Sequence, residues 1–229
     1  MGVKTALVTG IGRGIGRALT EKFLAEGYGV VGTILTSSAP LSHPHLNVFL
    51  LDLSLPESID HCCAEITRAN IKIDILINNA GALFDEDETH VIVDKLRKTL
   101  EVNLIGTIDF TEHIIPVMNK GGHIINISSS AGSIANTEPG GNSHFEYHYP
   151  AYKISKSSIN MYTRTLAMRL KHEGNDIAVS SVNPGWVKTD MGGEDAELTP
   201  QEAANDIFKL ATSNPETGQF WYKGEKFPW

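Results

Sequence analysis

Along the chain, short runs of aliphatic and β-branched residues alternate with longer stretches whose apolar positions recur every three or four residues. The runs at 3–9, 29–35, 48–51, 71–77, 123–128 and 177–182 read as near-continuous apolar runs rather than regular apolar–polar alternation. That is the pattern of strands covered on both faces, as in a parallel sheet. Helical spacing is seen over 15–26, 56–69, 88–102, 104–118, 151–172 and 200–212, with Gly27 stopping the first of these. Strand–helix alternation with connections of this length predicts an α/β fold with a doubly wound parallel sheet of about seven strands and helices on both faces. No repeat, low-complexity tract or long linker divides residues 1–229, which are read as a single domain.

Two stretches break the rhythm after predicted strands, where open parallel sheets place their ligands. The first runs Thr36, Ser37, Ser38 and is then marked by Pro40 and Pro44. The second, 135–150, mixes glycines, histidines and aromatics.

Composition narrows the function class. Hydrophobic residues are 41% before the 21 glycines are added, which excludes a disordered or collagen-like chain. A chain of this length buries roughly 70% of its unfolded surface and needs no disulfide or metal to hold it. The net charge of -8 argues against a nucleic-acid or anionic-membrane surface. Cys62 and Cys63 are adjacent and form no disulfide framework, which fits a reducing compartment. The start has no long apolar stretch, no run approaches the ~18 residues of a membrane span, and position 6 is Ala6 where a myristoylation signal wants Ser or Thr. The expectation is a soluble cytoplasmic protein with no nucleic-acid or membrane partner.

Thr9-Gly10-Ile11-Gly12-Arg13-Gly14-Ile15-Gly16 follows the first strand and opens the first helix. Glycines let main chain approach a pyrophosphate, whose charge then sits at the helix N-terminus. The spacing is Gly-x-x-x-Gly-x-Gly, and a plain strand–helix turn is the competing reading. In a dinucleotide fold, an acid ending the second strand bonds the ribose 2′-hydroxyl and favours NAD. Here Ile34 and Leu35 hold that place, followed by hydroxyls, and Arg13 sits in the glycine loop. A 2′-phosphate suits them, so NADP(H) is expected over NAD(H), with NAD(H) as the alternative.

Tyr152 and Lys156 share a helix face at i,i+4 spacing. A phenol titrates at about 10 and is a poor acid–base catalyst at neutral pH unless a nearby ammonium favours its phenolate. Tyr149 and Lys153 have the same spacing, and the pattern alone does not choose between the pairs.

Gly10–Gly16, Asn78-Asn79-Ala80-Gly81, Ile127-Ser128-Ser129, Tyr152-Lys153-Ile154-Ser155-Lys156 and Asn183-Pro184-Gly185-Trp186-Val187 stand in this order along nearly the whole chain. Together they resemble the short-chain dehydrogenase/reductase family, in its short single-domain branch, and imply a Rossmann-type fold. The family's serine before the lysine falls at Ser155, which selects Tyr152 and Lys156. The resemblance implies that Tyr152 is the general acid for carbonyl reduction and the base for alcohol oxidation. Lys156 would lower its pKa and hold the nicotinamide ribose, Ser129 would bond the substrate oxygen, and Asn103 would anchor a water for proton relay. Cofactor contacts would come from Gly10, Arg13, Gly14, Ile15 and Gly16, from Asp52 beside the adenine, and from Asn79 and Ala80 along the adenosine ribose. Pro184 and Val187 would face the carboxamide and Thr189 would reach a phosphate, while Asn78 would tie strands together. For Asp52, a strand-end cap is the competing reading.

Ser129 and Tyr152 are 23 positions apart, farther than is usual in that family, so 135–150 is read as an insertion near the substrate mouth carrying Phe145, Tyr147 and His148. His144 and His148 have metal-compatible spacing without a third ligand, and no metal is expected. The segments from Pro184 to Gly193 and Thr217 to Phe220, with the closing Pro228-Trp229, resemble C-factor-like and sniffer-like carbonyl reductases, which imply a short terminal strand and a final tryptophan used for packing. The implied activity is an NADPH-preferring carbonyl reductase or alcohol dehydrogenase acting on a small carbonyl or alcohol as a homo-dimer or homo-tetramer. The alternative is an NADP(H)-binding regulator of C-factor type with little turnover.

Overall fold

The computed structural model describes residues 2–36, 41–137 and 148–229. Its centre is an eight-stranded sheet in the order β3-β2-β1-β4-β5-β6-β7-β8. From β1 (Thr5–Val8) the chain runs through α1 (Gly14–Ala25) and β2 (Gly29–Ile34) to β3 (Leu46–Leu50) at one edge. Helix α2 (Pro56–Arg68) brings it back to β4 (Ile73–Asn78), which pairs with β1 on the side away from β2. Strands β5 (Met118–Ile127), β6 (Ala178–Val182) and β7 (Gln219–Tyr222) extend the sheet outward, all parallel. A two-residue antiparallel strand, β8 (Glu225–Lys226), makes eight strands where seven were expected. It is too short to form an apolar run. Its hairpin turns on Lys223 and Gly224, both at positive φ, as a two-residue turn matching strand twist requires.

The strands read as continuous apolar runs because successive side chains enter two different cores. Leu7, Val31, Leu76 and Ile124 face α2, α4 (Thr107–Ile114) and α5 (Pro150–His172), where they meet Ile59, Phe110 and Leu166. Their neighbours Ala6, Val30, Ile75 and Ile125 face α1 and α6 (Pro200–Ala211), where they meet Phe23 and Ile207. With both faces buried, no polar alternation survives. Among the described residues no helix is long and apolar enough to cross a membrane. The two cysteines are free and buried.

The helices expected over 88–102 and 104–118 differ most from the observed ones. They form one rod, α3 (Val93–Leu100), a π-helical segment (Glu101–Gly106), then α4 and a 3-10 turn. Helix α3 begins five residues later than the spacing suggests, because the carboxylates before it are used elsewhere: Asp85 takes an N–H from α5, and Glu88 pairs with Lys95. The π segment lies against the turn before α2, where a Cβ on Gly106 would stand 1.8 Å from the Leu53 carbonyl oxygen.

Strand order reverses between β1 and β4: the chain leaves β1 toward one edge and β4 toward the other. Loops after these strands diverge and open a crevice at their carboxyl ends. Beneath it a buried polar chain ties the layers. Asn78 Nδ2 donates to Thr111 Oγ1 and Asn126 Oδ1, each at 2.8 Å, and Asn126 Nδ2 donates to Thr163 Oγ1 at 2.8 Å. Asn78 is the strand tie expected of it.

Candidate active site

One wall of the crevice is main chain. The loop after β1 turns through Gly10 at φ 73, and a Cβ on Gly16 would lie 2.2 Å from the Gly10 carbonyl oxygen, so only glycine lets α1 start this close to its strand. Helix α1 has no side-chain cap at Arg13 and no acid in its first turn. Its free N–H groups and positive dipole end therefore face outward unneutralised. That donor set fits a pyrophosphate. Asn79 locks the loop from β4: its Nδ2 donates to the Thr9 carbonyl at 2.9 Å, while the N–H groups of Asn79 and Ala80 both reach Thr9 Oγ1 at 2.9 Å.

The far side of this wall comes from the loop after β6. Thr189 comes within 3.1 Å of where a Cβ on Gly14 would be, which brings its hydroxyl-bearing side chain to the phosphate loop. Arg13 forms an ion pair with the adjacent Asp190, both exposed. Val187 is buried and bridges to Leu198, and Pro184 lies beside Gly185, which turns at φ 82. Asp52 follows β3 by two residues, and its Oδ1 accepts from the Ser54 N–H at 2.9 Å and hydroxyl at 2.6 Å, a turn that caps the strand's exit. Ser37 and Ser38 lie outside the described residues, as do His144, Phe145 and Tyr147; His148 is exposed.

The other wall is built from side chains. Ser129 caps a 3-10 turn after β5, its Oγ accepting the Ala131 N–H at 3.1 Å, and its hydroxyl is hydrogen-bonded to the Tyr152 phenol. Gly132 makes that meeting feasible. A Cβ there would stand 2.6–2.8 Å from Lys156 main chain and Cβ, so the loop rests directly on α5. Lys156, one turn beyond Tyr152, places Nζ 5.4 Å from the centre of the tyrosine ring and donates to the Ile127 carbonyl at 2.8 Å.

Burial pushes the Tyr152 phenol up to about 12, and the Ser129 hydrogen bond offsets only part of that rise. Burial lowers the Lys156 ammonium to about 8. The shift runs opposite to the drop expected from Lys156: burial, not the neighbouring ammonium, sets the phenol here. The competing pair also stacks, with Lys153 Nζ 5.3 Å from the centre of the Tyr149 ring, and burial raises the Tyr149 phenol well above its usual range. Ser129 is hydrogen-bonded to the Tyr152 phenol.

Asn103 comes from the π-helical segment, a distortion frequent at functional sites. Its Oδ1 accepts the Ala82 N–H at 2.7 Å, while Nδ2 donates to the Ala82 carbonyl at 2.8 Å and to Ser155 Oγ at 3.1 Å. Ser155 in turn donates to the Tyr152 carbonyl at 2.7 Å. Asn103 is thus a bracket between the loop after β4 and the turn carrying Tyr152. Trp229 packs as expected: it stacks on Phe220 at 5.5 Å, and its carbonyl accepts the Ala135 N–H at 2.7 Å, bracing the Ser129 loop.

A family model described as short chain dehydrogenase matches residues 4–199. The NADPH-bound carbonyl reductase from chicken fatty liver has a similar structure, with a TM-score of 0.88 and 27% identity, covering 99% of this chain and 94% of that one. Carbonyl reductase Sniffer of D. melanogaster gives a TM-score of 0.86 at 26% identity over 100% of both chains. C-signal of Myxococcus xanthus is 33% identical over 168 residues, 69% of this chain and 93% of its own length.

Proposed function

This chain belongs to the short-chain dehydrogenase family, enzymes that interconvert CH–OH and C=O groups with a nicotinamide cofactor, and we propose that within it the chain is an NADPH-preferring carbonyl reductase. The observation that carries the proposal is the meeting of Ser129, Tyr152 and Lys156 on one wall, opposite an uncapped helix N-terminus. The chemistry of a bound reduced nicotinamide is hydride donation; the rest falls to the chain. Tyr152, protonated at neutral pH, gives its proton to the carbonyl oxygen. Ser129 holds that oxygen, and its hydroxyl bond to the phenol fixes the direction of transfer. Lys156 supplies positive charge beneath the ring and holds the nicotinamide ribose, and Asn103 keeps the turn behind them in place, where it anchors a relay water.

Gly10, Gly14, Ile15 and Gly16 would hold the pyrophosphate with Thr189, Asn79 and Ala80 the adenosine ribose, Asp52 the adenine side, and Pro184 and Val187 the carboxamide. Arg13, with no acid closing β2, favours a 2′-phosphate. A phenol held near 12 is protonated at neutral pH, the form that reduction needs, while little phenolate is present to act as the base for oxidation. Met161 and Met168 on α5, 64% and 68% exposed, suit an oligomer formed through that helix.

The test is nicotinamide absorbance against a panel of aldehydes, ketones and quinones with each cofactor. Turnover faster with NADPH is expected; a clear NADH preference overturns the cofactor assignment. The likeness to C-signal favours one other reading, a cofactor-binding regulator, and tight NADPH binding without turnover on any carbonyl would establish it instead.

A further inference from the structure

Asp85 lies in the loop between β4 and α3, outside the residues assigned so far to chemistry or cofactor. It is 1% exposed. Its Oδ2 accepts the Ala151 main-chain N–H at 2.6 Å, and its Oδ1 is buried with no hydrogen-bond partner.

Helix α5 needs an acceptor at this point. The N–H groups of a first turn have no partners within their own helix. Pro150 begins α5, and Tyr149 before it offers no side-chain cap. Tyr149 also sits at φ 46, a left-handed conformation that a bulky residue adopts only when its surroundings impose it. The same loop imposes it, since the Tyr149 N–H donates to the Glu88 carbonyl at 2.9 Å, and Lys95 holds the Glu88 carboxylate. A carboxylate 66 positions upstream thus does for α5 what a local serine or aspartate does for most helices. Placing it at the positive end of the helix makes the bond charge-assisted. Leaving one oxygen unmatched in the interior is costly, and a purely structural cap has no need of that cost.

We propose that Asp85 is a positioning residue for Tyr152: its bond to Ala151 fixes the first turn of α5 and so aims the phenol, one residue further on, at Ser129. What the phenol then does rests on the carbonyl-reductase reading above.

Asp85→Ala and Asp85→Asn are compared in the full chain with saturating NADPH. Misaiming a catalytic group by an ångström is severe, so Asp85→Ala lowers kcat by about tenfold or more. Carbonyl KM and NADPH Kd stay within about twofold, because the phosphate loop and the loop after β6 lie off α5 and the Lys156 bond to Ile127 is kept. Amide exchange across 150–156 rises. Asp85→Asn, whose amide oxygen accepts the same bond, returns both kcat and exchange to near wild type. Wild-type kcat in Asp85→Ala, a parallel loss of NADPH affinity, or no rescue by Asn each overturns the proposal. If Asp85→Ala does not fold, Asp85→Ser replaces it under the same criteria. Should the wild-type chain turn over no carbonyl, the reductase reading fails by itself; exchange across 150–156 then decides, and an unchanged value in Asp85→Ala overturns the role of Asp85.

Discussion

On the β1 side of the crevice, the loop from Thr9 to Gly16 offers peptide N–H groups, a helix dipole and room made by missing side chains. On the β5–α5 side, Ser129, Tyr152, Lys156 and Asn103 come from three separate segments and meet through hydroxyl, amide and ammonium groups. The first wall suits a charged ligand whose position matters more than its protonation. The second suits a reaction in which a proton must leave one defined oxygen. The difference shows why one wall is contiguous in sequence and the other is assembled. Main-chain donors come from neighbouring residues, whereas side chains of different chemistry must be gathered from afar.

If the walls divide binding from chemistry, Tyr152→Phe breaks the second alone: turnover falls by about 10²–10⁴-fold while NADPH still binds, measured by initial rates and cofactor fluorescence titration. Substantial activity in Tyr149→Phe completes this test; the reverse pattern would move the proton donor to Tyr149. The opposite damage comes from Gly16→Ala, whose Cβ must displace the Gly10 carbonyl. Overpacking of this kind costs about 1–3 kcal/mol, and NADPH Kd from calorimetry rises roughly ten- to a hundredfold. Next is pH. With Lys156 lowered to about 8, its charge is present below that value and lost above it, so kcat/KM for reduction bends down through pH about 8, roughly tenfold per unit. Lys156→Arg, charged throughout, removes the bend in the pH–rate profile. The smallest effect joins loops at the rim. If Arg13 takes a 2′-phosphate as proposed, Asp190 competes for it, and Asp190→Asn then tightens NADPH about two- to fivefold and leaves NADH nearly unchanged in the same titration.

Local and periodic features were legible in the sequence. The glycine loop, the Tyr152/Lys156 spacing and the buried strands declare themselves within a few residues or one repeat. What escaped depends on contacts between distant segments. Nothing in the sequence singles out Asp85, and only the folded chain shows it at the start of α5, 66 positions away. Arg13 reads as a free phosphate ligand until Asp190, 177 positions on, is found beside it. The phenol's rise follows from desolvation, a property of the enclosing protein that i,i+4 spacing does not carry.

A π turn holds one residue more than the α-turn it interrupts, and this has a consequence for the rod between α3 and α4. Each helical residue adds about 100° of rotation, so the surplus residue between Glu101 and Gly106 resets the phase of everything after it. With the surplus present, Asn103 points at Ala82 while Phe110 and Ile114 still meet the sheet. Deleting any one residue there would leave a regular helix with a single azimuth to share, and either the amide or the aromatic face would swing out of place.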